Sequence, residues 1–346
     1  MNSRPTLRSV AALAGVSSAT ASKALAGLPV SSENLAKVKS AADELGYVAN
    51  SAARSMRVSE TMTIGIVMNM GVHPGTELMR ILQSTIEDLE QRGYTILLSV
   101  GGRHEAEVDL ALRRLVERRV DGLFFWNAQP VESLKLYRST KIPVFAVGWR
   151  DPACSDLPLI TVDTTAACRQ AAEALRGLGH RVVAEFRGPD DAPMPAIMEE
   201  AAAAAGLEYR RPPVEFEQEQ VNRYLAEIAE APDRPTVLTT HYSSVLQVIS
   251  ACELAGLRIP EDISILSTTD SEGAALLKTP VTALATDYSL LGHASASAML
   301  RAIDGERPED VLVEDSVWLV ERASFGPVPP AAGGRGRRPS AVRARR

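Results

Sequence analysis

Between residues 63 and 266, short and nearly continuous apolar runs alternate with longer stretches of helical period. The runs at 63–68 (TIGIVM), 94–99, 121–126 (DGLFFW) and 143–147 read as strands. Between and after them, 77–92 closes on Gly93, 105–118 follows, and 164–178 closes on Gly179; these read as helices. The alternation then resumes, with strands at 182–186, 214–216, 236–240 and 263–266 and helices at 195–205, 219–229 and 243–255. Strands that are apolar throughout must be covered on both faces, so the pattern predicts α/β architecture with doubly wound parallel sheets. Two sets of roughly five strands predict two such lobes in tandem. In open α/β sheets a ligand sits beyond the carboxyl ends of the strands, which places a cleft between the lobes. No phosphate-binding glycine loop is present, and Gly101-Gly102 alone is too short a signal to imply a nucleotide cofactor.

The charge is unevenly divided. The whole chain carries −6, which taken alone argues against nucleic acid, yet residues 1–60 hold seven Lys/Arg against four Asp/Glu. Residues 327–346 hold six Arg and no acid, which leaves −15 on the 266 residues between. A basic head, an acidic body and a basic tail are therefore expected as segments at 1–49, 61–326 and 327–346, with a linker at 50–60. The tail is rich in Pro, Gly, Ala and Arg without apolar periodicity, a composition that predicts disorder and only weak affinity for DNA or RNA. Three widely spaced cysteines, Cys154, Cys168 and Cys252, suit a reducing cytoplasm and no disulfide framework. No run reaches the ~18 apolar residues of a membrane span, and the N-terminal 30 residues lack a signal peptide.

The head reads as three short helices. Thr6 can cap residues 7–14, which stop at Gly15; Ser17 can cap 18–26, which stop at Gly27; and 32–45 end at Gly46. Val10, Leu13, Val16, Ala21, Leu25, Val38, Ala41, Leu45 and Tyr47 can form a small common core. Two short helices joined by a Gly-Val turn make a helix-turn-helix, whose second helix enters the DNA major groove. A small helical oligomerisation bundle is the alternative.

The stretch TLRSVAALAGVSSATASKAL at 6–25 resembles the head of the lactose/galactose-repressor (LacI/GalR) family. The likeness continues through Val30-Ser31-Ser32-Glu33, residues 41–47 (AADELGY) and Asn50. In the body it takes in GHR at 179–181, GLRIPEDIS at 256–264 and DYSLLG at 287–292. It implies a three-helix head on a two-lobed, periplasmic-binding-protein-like body, and a dimer that binds a pseudo-palindromic duplex operator. By position, Ser18, Ala19 and Lys23 then face base edges. Lys23 stands where the family usually has Arg, and lacks that residue's planar fork. Ser17 and Thr20 hold phosphates, and Thr6 and Asn34 complete the head's DNA-facing set. Residues 50–57 resemble the family's hinge helix, with Asn50, Ala53, Arg54 and Arg57 along the groove and Met56 in place of the Leu that wedges into the minor groove. Ala49 replaces a common Pro. An eight-residue helix is unstable alone, so the hinge should order on DNA.

The effector cleft departs from the family's pattern. Gly148 stands where an acid is common, His241-Tyr242 replaces an Asn-Asp pair, Thr269 replaces an Asp beside Asp270, and 189–198 lacks an expected Arg. Fewer bidentate grips on hydroxyls and anions remain. One reading gives the cleft a less polyhydroxylated ligand walled by His73, Trp149, His241 and Tyr242, with Thr286 nearby; the other removes effector sensing. Trp149 and Arg150 either stack or serve the fold. His73 and His241 have no carboxylate or thiol at ligand spacing, so no metal is expected. A pure solute-binding protein and an enzyme are the other classes; the head counts against the first, and no Ser/His/Asp, GxSxG or paired-carboxylate motif supports the second. No leucine heptad follows the body, so a dimer is expected rather than a coiled-coil tetramer.

Overall fold

The computed structural model describes residues 5–25, 28–47, 61–69, 76–102, 104–186, 197–212, 217–229, 231 and 234–328. The chain divides into two compact units: Met1–Thr63 with Arg119–Asp121, and Ile64–Arg118 with Gly122–Arg346.

The first unit holds α1 (Leu7–Leu13), α2 (Ser18–Leu25) and α3 (Ser32–Leu45). Each start is capped by a hydroxyl, as the sequence predicts: Thr6 Oγ1 accepts from Ser9 N, Ser17 Oγ from Thr20 N and Ser31 Oγ from Asn34 N. Gly15 and Gly46 take left-handed backbone just past α1 and α3, and Tyr47 N closes back on Ala42 O. The core is thin. Val10, Ala21 and Val38, one from each helix, are fully buried, and most of the other buried members are alanines.

The second unit is two lobes. In the first, β1 (Thr63–Asn69), α4 (Thr76–Gln91), β2 (Thr95–Gly101), α5 (Glu105–Glu117), β3 (Gly122–Ala128), α6 (Leu134–Arg138), β4 (Val144–Arg150) and β5 (Leu159–Val162) follow in order. The second opens with α7 (Thr165–Gly177), β6 (Val182–Phe186), α8 (Ile197–Ala204), β7 (Glu208–Arg210), α9 (Gln218–Ile228), β8 (Val237–Thr240), α10 (Tyr242–Leu254), β9 (Ser264–Ser267), α11 (Glu272–Ala275) and β10 (Thr282–Thr286). Then α12 (Tyr288–Ile303) and β11 (Val311–Val313) return to the first lobe, and β12 (Val317–Val320) goes back to the second. Each sheet has six strands, in the orders β11-β5-β4-β3-β1-β2 and β12-β10-β9-β8-β6-β7.

The lobes are thus interleaved rather than in tandem, and the chain crosses between them three times. The crossings lie side by side: Asp163 N donates to Val313 O and Asp287 N to Ser316 O. Alternation of apolar runs records what a strand is packed against, not which sheet it joins, so the returning segments are invisible to it. The edge strand β12 runs antiparallel to β10. Beside β6 the sheet ends on β7; the strand expected at 214–216 lies outside the described residues.

Close packing in the second lobe is fixed at the ends of its strands. His180 is buried beneath the C-terminal segment, with Nδ1 2.8 Å from Thr236 Oγ1 and Nε2 2.8 Å from Gly326 O. A carbonyl only accepts, so Nε2 carries the proton and Nδ1 accepts the Thr236 hydroxyl. Burial pushes the imidazole's pKa below its ordinary 6.5, against a smaller upward pull from the Gly326 carbonyl. The unfolded chain therefore binds more protons than the folded one between that lowered value and about 6.5. Stability present above pH 6.5 is lost as the pH falls through this window. Denaturant midpoints at pH 7 and pH 5 should draw together in His180→Gln; an unchanged gap between them would refute the assignment.

The three cysteines are buried, and none is in a disulfide. Burial raises the Cys168 thiol to about 11 and the Cys252 thiol to about 12, so both stay protonated and unreactive. Among the described residues no helix is long and apolar enough to cross a membrane, and no group of His, Cys, Asp and Glu is set to hold a metal.

Candidate functional site

In the head, α2 has an inner and an outer face. Ala21 and Ala24 are core, whereas Ser18, Ala19 and Lys23 are exposed. Ala19 faces outward, away from that core. The Ser17 and Thr20 hydroxyls lie 2.9 Å apart and Ser17 caps the helix, so both are already engaged before any phosphate is met. Thr6 is exposed and closes the N-terminus of α1, and Asn34 is part-buried in the first turn of α3. An exposed first turn carrying a hydroxyl, a methyl and an ammonium one turn on can reach into a groove. Asn50, Ala53, Arg54, Met56 and Arg57 lie outside the described residues, as does His73.

In the body, a cavity of about 460 Å³ opens where the lobes meet at the crossings. Arg80 of α4 lines it from the first lobe. Asp270 and Glu272 line it after β9, Thr286 at the end of β10 and Asp287 just beyond, and Trp318 of β12 forms a further wall. Arg80 Nη2 donates to Glu272 Oε1 at 3.4 Å, an exposed ion pair between the lobes. Asp287 caps α12 by accepting from Ser289 N and the Ser289 hydroxyl. Those bonds outweigh desolvation and, with the Arg80 charge, hold its carboxyl below the usual range.

Of the described residues that the sequence proposed for the cleft, this cavity brings together Asp270 and Thr286. Asp270 is not a free grip. Both its oxygens accept from Arg322 at 2.7 Å, and Arg322 also bonds Val281 O, so the carboxylate ties the end of β9 to the strand that follows. Thr269 is 8% exposed, and its carbonyl accepts from Ser267 Oγ. Gly148, two residues before the end of β4, has φ +81 and lies beside Asn127, itself at φ +49, where the register of β3 against β4 shifts. A left-handed backbone explains the glycine where the family has an acid. Trp149 is on the same strand, and Arg150 does not stack on it. Its guanidinium bonds Asp310 at 2.8 and 3.0 Å and reaches the Leu157 carbonyl, a structural clamp onto β11. His241 is part-exposed just after β8 and does not line this cavity; the Tyr242 side chain lies outside the described residues. Sequence reasoning missed Arg80, Glu272 and Trp318. Trp318 is 47% exposed on the apolar strand β12, and nothing in its local sequence marked it as a wall.

These two regions match known families. Residues 6–50 match the model for bacterial regulatory proteins of the lacI family, and residues 172–325 match a periplasmic binding protein-like domain. The HTH-type transcriptional regulator CelR of Thermobifida fusca is 30% identical over 338 residues, covering 93% of this chain and 98% of that protein. The chain belongs to the lacI family. Within it, the ribose operon repressor of Escherichia coli K12 is 28% identical over 92% of this chain and 99% of its own length. A crystal structure of the lac repressor dimer bound to operator and an anti-inducer has a TM-score of 0.75, covering 93% of this chain and 99% of that one; at 21% identity it shows the shared fold. Membership of the lacI family makes the chain a DNA-binding transcriptional regulator with an effector-type body, and not an enzyme family member.

Proposed function

We propose that this lacI-family regulator is a repressor that binds a pseudo-palindromic operator as a dimer in the cytoplasm, and that a small molecule held between its lobes sets operator occupancy. The observation that carries the DNA half is the outer face of α2: Ser18, Ala19 and Lys23 exposed in register over a buried Ala21–Ala24 face. Thr6, Ser17, Thr20 and Asn34 position the head, while Asn50, Ala53, Arg54, Met56 and Arg57 serve the minor groove. Lys23 offers one ammonium where the family's Arg offers a fork, so it donates to guanine with less geometric discrimination.

A mobility shift on DNA upstream of neighbouring genes tests this reading. The full chain should shift a discrete fragment, and Lys23→Ala should weaken that complex about 10- to 100-fold at fixed salt. No shift by the full chain, or an unchanged dissociation constant in Lys23→Ala, would refute it.

For the effector, the described walls offer Trp318, Tyr288, Arg80 and Asp287. An aromatic ring beside a few polar groups suits a ligand with fewer hydroxyls than a free sugar. CelR has been solved as a complex with cellobiose, so a carbohydrate-derived ligand belongs among the candidates, with His73, Gly148, Trp149, His241, Tyr242, Thr269, Asp270 and Thr286 as further positions to probe. The engagement of Asp270 by Arg322, and of Glu272 by Arg80, favours a second reading in which small-molecule sensing has been lost. A thermal-shift screen of sugars, nucleosides and small acids separates the two: a stabilising hit supports a ligand, and a blank screen supports the loss.

A further inference from the structure

The chain has three tryptophans, and all of them stand at the same end of the sheets. Trp126 lies near the carboxyl end of β3, and Trp149 is next to last in β4. Trp318 of β12 pairs with Ala285, next to last in β10. The crossings leave from the carboxyl ends of β5, β10 and β11, and β3 and β4 run parallel to β5 in the first sheet. The three indoles therefore edge the space between the lobes, Trp126 and Trp149 from the first and Trp318 from the second. Trp126 and Trp149 are part-exposed and Trp318 is exposed, and none of the three N–H groups makes a hydrogen bond among the described residues.

Trp126 has a fixed seat. With Ile66, Phe124 and Val147 of the sheet and Ile81 of α4 it lines an apolar slot of about 10 Å³, too small for more than a single water. The hydroxyls on that slot are already engaged, since Thr85 donates to Ile81 O and Ser295 to Leu291 O. An indole held on an apolar floor and open on its cleft side is a rigid platform. The charged groups of the described walls, by contrast, are matched among themselves. Arg322 holds Asp270, Arg80 holds Glu272, and Asp287 sits on the amino end of α12. Gly148 offers no side chain beside Trp149, and its carbonyl already accepts from Thr161 Oγ1 at 2.8 Å. A polyhydroxylated or ionic ligand finds few groups here to pair with. What these walls have to offer is ring face and indole N–H, together with the Asn127 amide next to Trp126, which can meet a polar substituent.

We propose that Trp126 contacts the ligand and sets its class: a flat, uncharged aromatic ring, stacked on Trp126 from the first lobe and covered by Trp318 from the second. The inference rests on the reading above that a small molecule binds between the lobes, and it names the chemistry of that molecule.

Titration calorimetry of the full chain with matched probes tests it: D-glucose against phenyl β-D-glucoside, D-ribose against adenosine, and benzyl alcohol against benzoate. A ring-bearing glycoside or nucleoside should bind about tenfold or more tightly than its ring-free counterpart, and benzyl alcohol more tightly than benzoate. Trp126→Leu should weaken the ring-bearing probe about 5- to 100-fold and abolish the preference, while Trp126→Phe keeps most of it. Trp318→Leu, at an exposed position, should weaken the same probe and leave the melting temperature of the ligand-free protein in place, which a purely structural effect would not. Equal affinities for ring-bearing and ring-free probes would overturn the inference and leave the ligand reading standing, as would a ring-bearing probe unaffected by both Trp126→Leu and Trp318→Leu. Benzoate binding more tightly than benzyl alcohol would overturn the uncharged class. No binding by any probe would overturn this inference and the ligand reading together.

Discussion

Val38→Asp should abolish specific DNA binding, by more than about 100-fold, while the body melts as in the parent protein. Val38 is fully buried where α1, α2 and α3 meet, and it shares that point with Val10 and Ala21. The three-helix head is far below the size at which a core alone gives a wide margin, and a core made largely of alanine methyls supplies little; a domain this small rarely exceeds about 3–5 kcal/mol. A carboxylate placed there has no cation or donor within the core. The head must either bury an uncompensated charge, at several kcal/mol, or open. Opening removes the surface on which Ser18, Ala19 and Lys23 sit. The milder Val38→Ala, at about 2 kcal/mol, should leave binding intact at low temperature and lose it on warming. Calorimetry should show the body transition in place in both variants. The assignment fails if Val38→Asp still gives the parent's shift on upstream DNA, or if the body transition moves with it.

The head was legible because its signals are local. A hydroxyl before each helix, glycines after α1 and α3, and Val10, Ala21 and Val38 at helical spacing specify caps, ends and core within some 40 residues. The strands of the body were legible for a related reason, since apolar residues on both faces mark a covered sheet. What escaped was everything set by long-range contact. The return of α12 and β11 to the first lobe depends on hydrogen bonds between crossings that are distant in sequence. The role of Asp270 depends on Arg322, 52 residues away. The cavity's own walls were missed because Arg80 lies on an ordinary amphipathic helix and Trp318 on a short apolar strand. A family pattern transfers residues position by position; it does not say that Arg322 has already taken the carboxylate.

Gly292→Val should cost about 3 kcal/mol or more of body stability, the largest effect expected from a single added side chain. Helix α12 crosses back from the second lobe and lies against α4 of the first. The helices lie close at Gly292: a Cβ there would come within 1.9 Å of Ser84 Oγ and 2.6 Å of the Ile81 carbonyl oxygen. The Ser84 hydroxyl can turn away, but a backbone oxygen cannot, so the helices must separate. Thr85 Oγ1 donates to Gly292 O at 3.2 Å across this contact, and that bond would stretch with it. Overpacking of this kind costs ~1–3 kcal/mol per intrusion, and Val adds two methyl groups to the first clash. Gly292→Ala meets an opposing gain of up to about 1 kcal/mol in helix propensity, so its net loss should be nearer 1–2 kcal/mol. Ser84→Ala in the Gly292→Ala background should restore part of that loss and no more, because the Ile81 carbonyl remains. Denaturant midpoints of the four proteins form a double-mutant cycle. Zero coupling between positions 84 and 292, or a Gly292→Ala variant more stable than the parent, would show that the two helices do not meet there.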